Sequence, residues 1–213
     1  MKRLFDLIIS FFAVVILSPI MIIIAIIIKL QNNGSVIFKQ TRVGRNNKDF
    51  TIYKFRTMLE SAPNIATNDL KDPDVYITSI GKILRKTSLD ELPQLFNILK
   101  GDMSLVGPRP VINNESESGL LEERTRLGIS ALVPGLTGWA QVNGRDDISL
   151  ENKIKFEKEY MDRQSFCFDI KILVITFLKV FKQEGIVEGA SEVSPIPAQS
   201  NLPKTEDEIK NVI

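Results

Sequence analysis

Residues Leu7 to Ile28 form a run of 22 positions without a charged side chain. As an α-helix the run is about 33 Å long, enough to cross a bilayer core of about 30 Å. It is long for a cleavable signal, and no small-x-small site follows it. One reading is a single spanning anchor. A second follows from Ser18-Pro19 near the middle. Proline inside a helix removes a hydrogen bond and kinks it. A helix bent there has two arms of about 16 Å, too short to span, and can re-enter the face it came from. Lys2 and Arg3 precede the run and Lys29 follows it, so flanking charge does not orient it.

Composition narrows the chemistry. At 213 residues the chain has the length of one domain with an attached segment or two. The 27 basic and 26 acidic side chains nearly cancel, which argues against nucleic acid as a partner. There is no histidine, which removes His-based acid–base catalysis, the Ser-His-Asp arrangement and the usual zinc sites. The one cysteine, Cys167, cannot form an internal disulfide. Carboxylates remain as catalytic candidates, and any metal would be a hard ion such as Mg2+.

The densest motif is TSLDELPQLFNILKGDMSLVGPRP, Thr87 to Pro110. Ser88 with Glu91 three residues on fits a capping box, and Leu92, Leu95, Phe96 and Leu99 mark one helical face. Lys100-Gly101 is a stop signal. Acidic residues in a first turn meet the helix dipole and need no further role. Pro93 allows another register, with the helix starting at Leu92-Pro93 and Asp90-Glu91 in the preceding turn. In both registers the carboxylates lie at the positive end of a helix, which favours their ionised form and a nearby phosphate. An ionised Asp beside a metal-holding Glu is a competent nucleophile toward phosphorus. Attack of one anion on another needs cations to offset the repulsion. Arg109, held between two prolines, presents a guanidinium suited to phosphate. Taken alone, PRP more often makes a rigid surface turn with a solvated arginine.

Ser35–Arg42 and Asp49–Thr57 are β-prone segments flanking the turn-forming VGRNNK, which predicts a hairpin. Lys54 and Arg56 then share a face, either as charges guarding an edge strand or as cations aimed at an anion. Glu60 to Val75 reads as a loop, and Thr78 to Lys86 as a short helix whose Lys82, Arg85 and Lys86 lie against lipid headgroups or in water. Val111 to Gly128 is polar and in part helical. Val133 to Asp147 is rich in turn signals and carries Trp139 and Arg145. It can bind a nucleotide, or Trp139 can be a core or interface anchor. Leu150–Arg163 reads as a charged amphipathic helix, and Phe166–Phe181 as a core or interfacial one. From Glu188 the chain turns rich in Pro and Ser and reads as disordered.

Taken together, MKRLFD with its apolar run and Ser18-Pro19, IYKFRTM, RKTSLDELPQLFNILKGDMSLVGPRP and PGLTGWAQVNGRDD resemble the bacterial sugar transferases, the small monotopic phosphoglycosyl transferases. Four blocks in order are far more specific than any one of them, and the resemblance covers about residues 1 to 187. It implies a mainly α fold with a small β-hairpin (α+β): a re-entrant membrane helix over residues 1–32, a catalytic region with interfacial amphipathic helices over 33–187, and a tail over 188–213. It implies transfer of a sugar-1-phosphate from a UDP-sugar to undecaprenyl phosphate, with release of UMP, at the cytoplasmic face of the bacterial inner membrane. By motif match Asp90 is the nucleophile that forms a phosphosugar-aspartyl intermediate, and Glu91 holds Mg2+. Lys54, Arg85 and Arg109 match cationic positions near the phosphates, and Arg145 a uridine or phosphate contact. Ser18 and Pro19 mark the re-entrant break. The segment PNIATND…YITSIGKILRKTSLDELPQ looks most like enzymes that initiate capsule and related polysaccharides, which suggests a UDP-N-acetylamino sugar. Two rivals share the motifs: a Mg2+-dependent lipid-pyrophosphate hydrolase, and a non-catalytic membrane adaptor of polysaccharide assembly.

Overall fold

The computed structural model describes residues 1–31, 34–63, 70, 72–144 and 148–182. The fold is mainly helical, with a small antiparallel hairpin and an apolar N-terminal helix. Helix α1, Lys2–Gln31, is continuous. Ser18 and Pro19 lie inside it and do not interrupt it. Pro19 has no N–H for the Val15 carbonyl one turn back, and the Ser18 hydroxyl donates to that carbonyl instead, at 2.8 Å.

Both ends of α1 rest on the same body. Near its start, Arg3 donates to the Ile98 and Leu99 carbonyls. The buried Asp6 carboxylate accepts from the Ser104 hydroxyl at 2.8 Å and the Leu105 amide at 3.3 Å. Near its end, Ile24 and Ile28 are buried in a cluster with Phe55 and Leu84. The other face stays bare: Phe11, Phe12, Val15, Ile16, Ile22, Ile23 and Ile26 are exposed. A soluble core helix of this composition would be covered, so α1 is the membrane-associating element.

The hairpin forms as its sequence predicts. Strand β1, Ile37–Val43, pairs antiparallel with β2, Asp49–Phe55, in the register Phe38 opposite Lys54 and Gln40 opposite Ile52. Asn46 and Asn47 take left-handed backbone in the turn, a conformation asparagine tolerates. The stretch expected to be loop after Glu60 contains a short helix, α2, Pro73–Tyr76, begun by its proline. Helix α3, Ser79–Lys86, is capped by the Thr78 side chain, which accepts from the Gly81 amide.

Helix α4, Gln94–Lys100, stops at Gly101 with φ 102°. Its inward face differs from the expected one. Leu95 and Ile98 are buried beside Gln94 and Asn97, while Phe96 is exposed. The polar Asn97 wins an inward position because it completes the free edge of β2. Its Oδ1 accepts from the Tyr53 amide at 3.1 Å, and its Nδ2 donates to the Thr51 carbonyl at 2.7 Å. A buried side chain thus supplies what a third strand would.

Two short strands were not evident from the sequence. Strand β3, Ser104–Val106, runs parallel to β4, Gly135–Thr137. Here glycine is required, since a Cβ on Gly135 would lie 2.1 Å from the Gly107 amide nitrogen. Helix α5, Glu115–Arg126, α6, Trp139–Gly144, α7, Leu150–Arg163, and α8, Phe166–Lys182, complete the fold. Trp139 is a core-edge anchor: its indole donates to Glu159 at 2.8 Å and its ring packs on Phe168. On α8, Phe168, Asp169 and Ile172 are buried while Val174, Phe177 and Leu178 are exposed, the pattern of an interfacial helix. The region after residue 182, including the tail expected to be disordered, lies outside the described residues.

Asn97→Ala should lower the stability of the detergent-solubilised protein by about 2–3 kcal/mol, because it strands two backbone groups of β2. Chemical unfolding measures this, and an unchanged midpoint would show that Asn97 does not hold the hairpin on α4.

Candidate active site

The capping box does not form. Ser88 takes left-handed backbone with φ 56°, and its side chain caps nothing. Residues Leu89–Glu91 make one turn of 3-10 helix, and Pro93 then serves as N-cap of α4. Asp90 and Glu91 therefore precede α4, as the second register had it. The consequence is a sharp turn that drives Asp90 inward, to 8% exposure.

Cations from three elements meet there. From β2, Lys54 Nζ lies 2.7 Å from Glu91 Oε1 and 4.0 Å from Asp90 Oδ2. From the turn after β3, Arg109 Nη2 lies 3.3 Å from the same Glu91 oxygen. From α3, Arg85 donates from Nε to the buried Thr57 hydroxyl at 3.0 Å and acts on Asp90 through its charge. It does not lie out in water or lipid as one sequence reading placed it. Lys82 and Lys86 of the same helix are exposed. Arg56 does not join Lys54 either; its Nε donates to the Ser35 carbonyl. Its amide still donates to the Val36 carbonyl at 2.9 Å, one residue past the strand, and its guanidinium is engaged at that end of the hairpin. Arg145 lies outside the described residues.

The two neighbouring carboxylates differ electrostatically. Burial pushes Asp90 up to about 6; Lys54 opposes this, and the adjacent Glu91 charge adds to it. Burial also acts against the ionised form of Glu91, but Lys54 and Arg109 outweigh it and hold Glu91 near 2. The expectation that a helix start would favour ionisation of both carboxylates thus fails for Asp90. The turn takes Asp90 out of water, and its nearest cation bonds to Glu91 instead. At neutral pH Asp90 is still mostly ionised, as a buried carboxylate 4.0 Å from its nearest cation. Such an anion is weakly solvated and reactive.

The bacterial sugar transferase family matches residues 1–183. The chain belongs to that family. It is 42% identical over 186 residues to the uncharacterised sugar transferase EpsL of Bacillus subtilis, covering 87% of this chain and 90% of that protein. It is 39% identical over 188 residues to the UDP-glucose:undecaprenyl-phosphate glucose-1-phosphate transferase of Escherichia coli, covering 85% of this chain and 40% of that enzyme. It is 38% identical over 175 residues to the UDP-N-acetylgalactosamine-undecaprenyl-phosphate N-acetylgalactosaminephosphotransferase of Aeromonas hydrophila, covering 82% of this chain and 41% of that enzyme. The chain thus spans about two fifths of those two larger enzymes and nearly all of EpsL. Family membership makes it a transferase, which removes the non-catalytic adaptor.

A carboxyl whose folded pKa lies above its unfolded value favours the fold while protonated, and that contribution disappears as pH rises through about 6. In metal-free protein at about pH 7.5, Asp90→Asn should therefore raise stability, by up to about 3 kcal/mol. The gain should shrink as pH falls toward about 4, where Asp90 is itself protonated. Glu91 has the opposite sign: its contribution is complete above about 4.5 and is lost as pH falls from there toward about 2. Denaturant unfolding in detergent with a chelator at both pH values checks this. A variant less stable than wild type at both would contradict the burial argument.

Proposed function

We propose that this transferase moves a sugar-1-phosphate from a UDP-sugar to undecaprenyl phosphate through a covalent intermediate on Asp90. The observation that carries this reading is the buried Asp90 carboxylate facing Lys54, Arg85 and Arg109 beside an ionised Glu91. An Asp90 oxygen attacks the sugar-bearing phosphorus of the donor. The bond to the bridging oxygen breaks, and UMP leaves with the electron pair. A phosphate oxygen of undecaprenyl phosphate then attacks the same phosphorus and expels the Asp90 carboxylate, giving undecaprenyl-diphosphate-sugar. Both nucleophiles are already anions, so no general base is needed, in keeping with a chain that lacks histidine. Arg109 and Lys54 stabilise the charge gathering on the phosphoryl oxygens. Arg85 and Lys54 oppose the protonation of Asp90.

The donor set fits Mg2+. Among the described residues no cluster of three or more His, Cys, Asp or Glu forms a protein-only metal cage. Mg2+ is commonly held by one or two carboxylates with substrate phosphates completing the shell, and Glu91 supplies an ionised carboxylate beside Asp90. When bound there, Mg2+ would neutralise charge on the donor diphosphate.

Support for undecaprenyl phosphate comes from the names of the Escherichia coli and Aeromonas hydrophila relatives. The relatives span glucose, galactose and N-acetylgalactosamine transfer, so the preference for a UDP-N-acetylamino sugar rests on the resemblance of residues 63 to 94 alone. The bare face of α1 and the fixing of both its ends to one body favour a helix that meets the bilayer from one side over one that spans it. On the same reading the catalytic body lies at the cytoplasmic face, where nucleotide sugars are made.

UMP release from a panel of UDP-sugars with undecaprenyl phosphate in nanodiscs tests the proposal. Asp90→Asn should fold yet lose at least about 1000-fold in rate. Arg109→Ala should lose about 100-fold, with Arg109→Lys only partly restoring it because lysine lacks the planar fork. UMP release by the Asn variant at the wild-type rate would remove the nucleophile assignment. Release of sugar phosphate without acceptor at the full rate would favour the hydrolase.

A further inference from the structure

The Pro108-Arg109-Pro110 turn has few ways to be held. Two of its three residues lack an N–H, so its carbonyls must serve as anchors. Four consecutive carbonyls are taken by three elements, β4, β1 and α5. The Pro108 carbonyl accepts from the Gly135 amide at 2.9 Å, and the Val111 carbonyl from the Val43 amide at 2.8 Å. The Pro110 carbonyl accepts from Arg42 Nη1 at 3.3 Å. The Arg109 carbonyl accepts from Arg124 Nη2 at 3.0 Å.

Arg124 is the unusual member of this set. It lies in α5 and is almost fully buried, and so is its partner Glu157 in α7. Its Nε donates to Glu157 Oε2 at 2.7 Å, and Nη2 donates to Oε1 as well as to the Arg109 carbonyl. A buried ion pair is a poor way to gain stability, since apolar side chains of similar volume do as well or better. Here the pair has a geometric consequence. Glu157 fixes the guanidinium plane, and the guanidinium fixes the main chain of the residue whose side chain reaches Glu91.

We propose that Arg124 and Glu157 are positioning residues that hold Arg109 for catalysis. The inference rests on the role given to Arg109 above. The pair touches neither Asp90 nor Glu91 in the contacts described, and acts through the Arg109 main chain alone. It links helices otherwise read as scaffold to the placement of a phosphate-binding group, where a displacement of about 1 Å can cost about 100-fold in rate.

The test uses the full chain in nanodiscs and two alterations of the pair. Arg124→Met with Glu157→Leu replaces the ion pair by apolar bulk, which permits folding while removing the donor to Arg109. Arg124→Lys keeps the charge opposite Glu157 but cannot bridge to both partners in the same plane. Two readouts are taken. Hydrogen exchange of the peptide over residues 104–113 should quicken in both variants, at the Arg109 and Val111 amides, without a matching change across α7. UMP release, from whichever of UDP-glucose, UDP-N-acetylglucosamine and UDP-N-acetylgalactosamine the wild type uses, should fall about 10–100-fold. In an Arg109→Ala background the same alterations should cost less than about 3-fold, because a group acting through Arg109 has nothing left to act on. Unchanged exchange at residues 104–113, or losses that multiply with Arg109→Ala, would overturn the proposal. Wild-type protein that uses none of the donors would count against the proposed function, and the exchange measurement would still decide whether the pair holds the turn.

Discussion

The contact of Lys54 with Glu91 is the interaction on which the site depends. Two adjacent carboxylates in a tight turn repel each other, and taking one of them out of water adds to that cost. Lys54, 2.7 Å from Glu91 and 4.0 Å from Asp90, makes the arrangement tolerable and sets its asymmetry. It forms a short charge-assisted bond with only one of the pair. Its place is set by β2, the place of β2 by Asn97 of α4, and the end of α4 by Arg3 of the membrane helix. The site is therefore connected, through a few named hydrogen bonds, to the element that meets lipid.

On the proposed function, that connection bears on how a soluble nucleotide sugar and a lipid phosphate can meet. Helix α1 lies along the body and leaves an apolar face bare, while α8 exposes Val174, Phe177 and Leu178. The catalytic turn is fixed against α1 through α4 instead of being carried on a mobile loop. The asymmetry of the carboxylates is the price of this arrangement: Asp90 is kept in surroundings that disfavour its charge, while Glu91 holds a full one. Environment divides two like groups into two roles, as in other enzymes with paired carboxylates. A carboxylate held this way works against the stability of the fold.

What could be read from the sequence was whatever depends on local pattern. The hairpin register follows from β-prone runs around VGRNNK, and α7 and the Gly101 stop follow from periodicity and turn chemistry. Local pattern failed where a distant partner decided the outcome. The Ser88 box gave way to a left-handed turn once Asp90 was drawn inward. Arg56 turned to the Ser35 carbonyl instead of joining Lys54 at the carboxylates. Asn97 looked like an ordinary polar position on α4 until β2 lay beside it, and Arg124 and Glu157 looked like charges of two solvated helices. Spacing puts Arg124 on the face of Leu120 and Glu157 on that of Ile154 and Tyr160, but that each is the other's partner, 33 residues away, shows only in the fold. The short parallel strands β3 and β4 fall below the length at which alternation can be recognised. Asp90, Glu91 and Arg109 stood out locally, as charged residues among prolines and turn signals, whereas Lys54 could equally be an edge-strand charge and Arg85 was placed near the phosphates by the family resemblance alone. Their division into two electrostatic roles became visible only from burial.

The central claim is that Asp90, and not its neighbour, takes up the sugar phosphate. The peptide Thr87–Lys100 is released by trypsin and contains both carboxylates. The protein should be exposed to a UDP-sugar that it uses, without acceptor, quenched in acid, digested and fragmented in a mass spectrometer. The expected result is a mass increase equal to one sugar phosphate, located on Asp90 and discharged by undecaprenyl phosphate. Location of the adduct on Glu91, or turnover with no adduct at any time of quenching, would contradict it.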